Sequence, residues 1–210
     1  MPIRVVLADD HGVLRDSLKL LLEQEGISVV GEAENGAEAV KLARTLHPQV
    51  VVTDLSMPIM NGIEAAAEIR KELGIPTILL TMHSEEHYVL RAFQAGVVGY
   101  LLKSKVASDL VSAIQEVARG NVYLSPGISR AVIHEMLNKD ATAKAEVLTL
   151  RERQVLQLIA EGKTTKEVAQ LMGISVRTGE SHRARIMEKL NIHETAGLVR
   201  YAIRQGLVEP

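Results

Sequence analysis

The chain has 210 residues, with Lys+Arg 24 against Asp+Glu 26 and a net charge of −2. At about 100 to 200 residues per domain this leaves room for two modest domains, and 47% hydrophobic with 24% charged residues excludes a disordered or collagen-like chain. One Phe, four Tyr and no Trp make the core aliphatic and argue against base stacking on aromatic platforms, while zero cysteines remove disulfides, thiol catalysis and thiolate metal sites. The first residues do not read as a signal peptide and no stretch nears the roughly 20 apolar residues of a membrane span, so a cytoplasmic protein without a membrane partner is expected.

The charge is unevenly divided. Residues 1–125 carry 11 Lys+Arg against 16 Asp+Glu, net −5, and residues 126–210 carry 13 against 10, net +3. An acidic half followed by a basic half suggests two tasks, with the basic half suited to phosphate backbones.

Five aliphatic runs punctuate the first half: Ile3 to Ala8, Val29 to Ala33, Val50 to Thr53, Thr77 to Leu80 and Val97 to Leu102. Segments with helical spacing lie between them, such as Leu14, Leu18, Leu21 and Leu22. This alternation predicts a five-stranded parallel, doubly wound α/β domain of the flavodoxin-like kind over residues 1–120. A linker over 121–145 follows, opening on Ser125-Pro126-Gly127 and holding one short helix near 128–137. From 146 to 210 the pattern is all-helical, at about 150–161, 165–172, 176–190 and 194–205, with Gly162 and Gly173 at the breaks.

In the first half, Asp9 and Asp10 end the first strand, Asp54 the third and Thr81 the fourth, and Lys103 follows the fifth. Ligand crevices of open parallel sheets lie beyond these strand ends, so residues far apart in sequence are expected to meet there. Three carboxylates repel one another unless a hard cation offsets their charge, and Mg²⁺ suits an oxygen set that leaves one carboxylate free to attack phosphorus.

In the second half, Thr164-Thr165-Lys166-Glu167-Val168-Ala169-Gln170-Leu171-Met172, a tight turn at Gly173 and a longer helix match a helix-turn-helix. Thr164 and Thr165 suit the cap of its first helix and offer backbone N–H groups to a phosphate. His83 and His87 stand four apart but lack the His-Glu-x-x-His spacing of a zinc helix.

The runs Leu7-Ala8-Asp9-Asp10-His11 and Asp54-Leu55-Ser56-Met57-Pro58-Ile59-Met60-Asn61-Gly62, with Thr81 and Gly99-Tyr100-Leu101-Leu102-Lys103, resemble the receiver domain of two-component response regulators. The resemblance implies that Asp54 accepts a phosphoryl group from a sensor histidine kinase. It implies Mg²⁺ held by Asp10, Asp54, the Ser56 carbonyl and, partly through water, Asp9. Lys103 and Thr81 would contact the phosphoryl oxygens, Tyr100 would swing inward as the Thr81 loop closes, and the fourth and fifth helices, about 85–95 and 107–119, would form the output face.

The run from Leu148 to Gly162, Lys166 to Ala169, His182-Arg183, Lys189-Leu190 and Leu198 to Ile203 resemble the LuxR-type helix-turn-helix of the NarL/FixJ regulators. By that resemblance Glu180, Ser181 and Ala184 would face base edges of double-stranded promoter DNA. Lys166, Arg177, Thr178, His182, Arg183 and Lys189 would lie nearer the backbone, and Leu198, Val199 and Ala202 would form the seam of a homodimer formed on phosphorylation. The family usually has a β-branched residue where this chain has Gly179. Gly costs about 0.5 to 1 kcal/mol in a helix interior, so Gly179→Val is expected to raise stability and DNA affinity.

Two other readings are weighed against a phosphorylation-gated transcription regulator. A phosphotransfer or phosphatase enzyme needs a general acid beside the nucleophile, commonly a second Asp two residues on, and position 56 is serine. A receiver acting by protein binding alone would need a helical half that no longer grips DNA.

Overall fold

The computed structural model describes residues 2–84, 86–126, 128 and 147–208. The chain divides into two compact units, taken here one at a time.

The first unit alternates strand and helix: β1 (Arg4–Ala8), α1 (Gly12–Gln24), β2 (Ser28–Ala33), α2 (Gly36–Leu46), β3 (Val50–Asp54), α3 (Gly62–Leu73), β4 (Thr77–Thr81), α4 (Glu86–Gln94), β5 (Gly99–Leu102) and α5 (Val106–Ala118), with a short 3₁₀ turn over Lys103–Lys105. All five predicted strands are present and parallel. A sixth, β6 (Tyr123–Leu124), pairs with β5 in residues assigned from sequence to the linker, giving the order β2-β1-β3-β4-β5-β6. The linker helix expected near 128–137 lies outside the described residues, Ile128 apart.

The strands read as unbroken aliphatic runs because both faces of the sheet are covered. Val5 and Leu7 of β1, Val50 and Val52 of β3 and Ile78 and Leu80 of β4 pack with Leu18 and Leu22 of α1 and Leu110 and Ile114 of α5. On the opposite face Leu79 and Tyr100 meet Ile63 and Ala66 of α3 and Val89 and Ala92 of α4. Local signals fix the helix ends: Asn35 and Asn61 accept hydrogen bonds from the amides of Glu38 and Glu64, and α3 ends on Gly74 in the left-handed region.

The second unit is four helices, α6 (Leu150–Ala160), α7 (Thr165–Leu171), α8 (Val176–Leu190) and α9 (Thr195–Arg204). Their apolar stripes enclose a core of Leu148, Val155, Leu156, Leu158, Ile159, Val168, Ile186, Leu198, Ala202 and Leu207. Capping boxes start α6 at Thr149 with Glu152 and α7 at Thr164 with Glu167, and Ser175 caps α8. Among the described residues no helix is long and apolar enough to cross a membrane.

Candidate functional site

The parallel sheet delivers the predicted convergence. Ala8 pairs with Thr53 across β1 and β3, so the residues that follow, Asp9 and Asp54, leave the sheet side by side. Both are buried, while Asp10 sits at the rim. Lys103, just past β5, reaches across with its ammonium 2.9 Å from Asp54 Oδ1 and 3.1 Å from Asp9 Oδ2. The Leu55 amide donates to Asp54 Oδ1 at 2.9 Å. Among the described residues the buried Asp9 Oδ2 has Lys103 as its one approach and no hydrogen bond of good geometry.

The charge balance is set by competing effects. Burial pushes the Asp54 carboxyl from its ordinary 3.8 up to about 6; Lys103 pulls it back and the Asp9 charge adds to the rise. Burial alone would lower the Lys103 ammonium, but attraction to Asp54 and Asp9 holds it above its ordinary value. Oxygen donors of Asp9, Asp10 and Asp54 and a nitrogen of His11 lie within 4.8 Å of one another. Hard carboxylate oxygens this close, one of them without a hydrogen bond, fit a small divalent cation.

The loop after β3 is tightly built. Gly62 donates its amide to the Leu55 carbonyl at 2.9 Å, and a Cβ at 62 would collide with the Asp54 carbonyl oxygen. Ile59 has φ 70, and the Met60 amide donates to the Pro58 carbonyl across it at 2.7 Å. A β-branched residue in that region stores on the order of 1 to 3 kcal/mol of strain five residues from Asp54.

Thr81 and Tyr100 meet on one peptide. Thr81 Oγ1 accepts from the His83 amide at 3.0 Å, and the Tyr100 hydroxyl donates to the His83 carbonyl at 2.9 Å. The Tyr100 ring is already fully buried in this structure. The His83 ring stacks on Tyr88 of α4 with centroids 4.3 Å apart.

In the second unit, α7 and α8 form the helix-turn-helix, with Gly173 at φ 63 in the turn. Arg177, Thr178, Glu180, Ser181, Ala184 and Arg185 of α8 and Lys166 of α7 are exposed, whereas Thr165, His182 and Arg183 are partly buried. Arg183 donates to Thr195 Oγ1 at 2.7 Å. Lys189 is committed to Glu152, with Nζ 2.6 Å from Oε2, tying α8 to α6. For Glu152, burial alone would raise the carboxyl, but hydrogen bonds from Lys189 and Thr149 more than offset it and hold it below its ordinary value.

Comparison with known proteins gives the chain its place. Residues 5–115 match the response regulator receiver domain, and residues 146–202 match the luxR family of bacterial regulatory proteins. The transcriptional regulatory protein MctR of Rhizobium johnstonii is 38% identical over 98% of this chain and 95% of its own. LiaR of Bacillus subtilis is 38% identical over 98% and 99%. The solved complex of the response regulator RcsB with DNA matches with a TM-score of 0.58 at 26% identity, over 98% of this chain and 99% of that one. The chain is a two-component response regulator of the LuxR type. Such proteins are DNA-binding transcription regulators rather than turnover enzymes.

Within this regulator, the structure brings together Asp9, Asp10, Asp54 and Lys103, and joins Thr81 to Tyr100 through His83. Of the residues expected in the dimer seam, Leu198 and Ala202 are 0% exposed and pack in the unit's own core. Val199 alone of the three is part-exposed. At Gly179 a Cβ would lie 3.3 Å from Thr165 Cγ2 and 3.8 Å from Ala169 Cβ, so the position faces packed atoms.

Two pocket residues escaped the sequence reading. His11, which has no evident partner in sequence, places Nδ1 2.9 Å from Asp10 Oδ1. Arg15, nearly buried, donates to the Asp9 main-chain carbonyl at 2.7 Å and to Glu34 at 3.1 Å, bracing the loop that carries both aspartates. The signal available was position: Arg15 lies one turn into the helix that follows Asp9-Asp10.

Proposed function

We propose that Asp54 is the phosphoacceptor of this regulator, and that its state controls dimerisation and promoter binding. The observation that carries the reading is the meeting of the buried Asp54 carboxylate with Lys103 and Asp9 at the sheet edge. An Asp54 oxygen attacks the phosphorus of a phosphohistidine on the sensor kinase; the new O–P bond forms as the P–N bond breaks and the imidazole leaves with a proton. Asp9, Asp10, Asp54 and the Ser56 carbonyl would hold Mg²⁺. Bound there, the ion offsets the carboxylate charge and that of the phosphoryl oxygens. Lys103 then exchanges a carboxylate partner for a phosphoryl oxygen, and the Thr81 hydroxyl, whose oxygen accepts from the His83 amide, turns its proton toward the same group. A phosphoryl group adds about −1.5 to −2 charges and three acceptors, so these contacts differ between the two states and can bias the loop. Tyr100 reads that loop through the His83 carbonyl and passes the change to the face of α4 and α5.

The division we propose is a receiver over 1–120, a linker over 121–145 whose Tyr123–Leu124 adds the edge strand of the receiver's sheet, and a DNA-binding domain over 146–210, in a cytoplasmic protein. In the last of these, α8 enters the major groove with Glu180, Ser181 and Ala184 toward base edges, while Lys166, Arg177 and Thr178 lie nearer phosphates. Thr165, His182 and Arg183 flank them; Lys189 supports α8 through Glu152. The RcsB match, a complex with DNA, supports this half of the reading. The seam between two copies is assigned to the outer face of α9 at Val199.

Sedimentation of wild type and Asp54→Asn with Mg²⁺, before and after acetyl phosphate, tests the proposal when the same samples select operators from random DNA. Dimerisation and choice of a two-fold site by phosphorylated wild type alone is the expected result. Equal DNA selection by both proteins overturns the switch, and modification of Asp54 without DNA selection overturns the assignment of the helical half.

A further inference from the structure

The cation pocket holds a side chain that its carboxylates do not explain. His11 is the residue that caps α1, yet its ring makes no capping hydrogen bond. The backbone does different work: the His11 amide donates to Asp9 Oδ1 at 2.9 Å, which fixes the residue over the pocket mouth. Its Nδ1 faces two carboxylates at once, 2.9 Å from Asp10 Oδ1 and 3.3 Å from Asp9 Oδ1. A surface ion pair would account for one of these contacts at small gain, since exposed pairs contribute little. Convergence of this nitrogen on both aspartates, with a ring nitrogen of His11 and an Asp54 oxygen within 4.8 Å as well, is what a ligand shell requires.

We infer that His11 Nδ1 is an additional ligand at this pocket, so that the receiver takes first-row divalent ions such as Mn²⁺ in preference to Mg²⁺. The inference rests on the reading of the pocket as a cation site and deepens it. Mg²⁺ favours oxygen ligands and keeps its waters, so it gains little from an imidazole. First-row transition ions gain more from nitrogen donors, in the order that starts at Mn²⁺. Mn²⁺ is the informative probe because, weakest in that order, it is least captured by the other histidines of the chain.

The test uses the full chain, unphosphorylated. Mn²⁺ and Mg²⁺ affinities are measured by equilibrium titration for wild type, His11→Ala, His11→Gln and Asp9→Asn, with melting in chelator to show that each variant folds. Pulsed electron paramagnetic resonance of bound Mn²⁺ supplies the direct readout. The expected results are nitrogen modulation in wild type that vanishes in both His11 variants, and a loss of Mn²⁺ affinity of about tenfold with Mg²⁺ affinity within about twofold. Absence of nitrogen modulation in a wild type that does bind Mn²⁺, or equal loss of both ions in His11→Ala, overturns the role of His11 alone. Binding of neither ion by wild type, or no loss in Asp9→Asn, overturns the cation site itself.

Discussion

Each unit of the molecule holds a Lys–carboxylate contact, and the two behave in opposite ways. Lys103 stands 2.9 Å from Asp54 and Lys189 2.6 Å from Glu152. Asp54 is nevertheless raised to about 6, while Glu152 is held below its ordinary value. The difference lies in what else surrounds each carboxylate. Both carboxylates are buried, but Asp54 has the like charge of Asp9 beside it. Among the described residues Glu152 shares its lysine with no other acid, and its Oε2 also accepts from the Thr149 amide and hydroxyl at 2.8 and 3.0 Å in the capping box. One pair is an under-compensated charge poised for chemistry; the other is a satisfied brace between helices. Distance alone does not tell them apart.

The same substitution in both places breaks the comparison most sharply. Lys103→Met leaves Asp9 and Asp54 buried without their cation, and a cost of about 3 kcal/mol is expected from loss of one partner of a buried pair. Lys189→Met leaves Glu152, itself only 4% exposed, with its Thr149 capping bonds in place. The Lys189 side chain is 38% exposed, so a cost below about 1 kcal/mol is expected after screening. Urea unfolding of both variants at pH 7 in chelator measures the difference; equal costs would show the two pairs to be equivalent.

Asp54→Asn should act with the opposite sign. A carboxyl raised by folding contributes stability that is complete below its unfolded value near 3.8 and is lost as the pH rises through about 6. A neutral amide escapes that loss. In chelator the variant is expected to be more stable than wild type at pH 7 by on the order of 2 kcal/mol, with the two converging below pH 4. Melting curves across pH 3.5 to 7.5 check this, and an unchanged or negative difference at pH 7 would mean that Lys103 fully compensates Asp54. No such rise toward neutral pH is expected for Glu152→Gln, because folding lowers that carboxyl.

Much of this was legible in the residues. The runs Val50–Thr53 and Thr77–Leu80 read as strands because both faces of the sheet are buried, and Asp54, Thr81 and Lys103 could be placed together because each follows such a run. What escaped depends on directions that spacing does not carry. The two-residue β6 is too short for a period and exists because β5 offers an open edge. The ring of His11 and the guanidinium of Arg15 reach the pocket through loop geometry and side-chain rotamers. In α9 the apolar stripe was visible, but a stripe turned to the unit's own core and one turned to a second copy look alike in sequence, and Leu198 and Ala202 belong to the first kind.

Gly179 gives the smallest expected effect and the finest test of how far packing overrides pattern. On propensity alone any side chain at 179 should help α8, by about 0.5 to 1 kcal/mol for Ala. The structure adds a counterweight, because Gly179 lies where α8 meets α7, against Thr165 and Ala169. A single methyl at 3.3 Å from Thr165 Cγ2 requires a shift of a few tenths of an ångström from an end methyl, which that side chain can give. Gly179→Ala is therefore expected to gain up to about 0.5 kcal/mol. The two further methyls of valine extend from a Cβ already in contact with Thr165 and Ala169, and overpacking there is expected to cost about 1 kcal/mol or more. Melting temperatures should then rank Ala above Gly and Gly above Val, with operator affinity following because α8 carries the DNA-facing residues. A Val variant more stable than the Ala variant would mean that the helix pair reopens freely, and that the gain anticipated from sequence was the better guide.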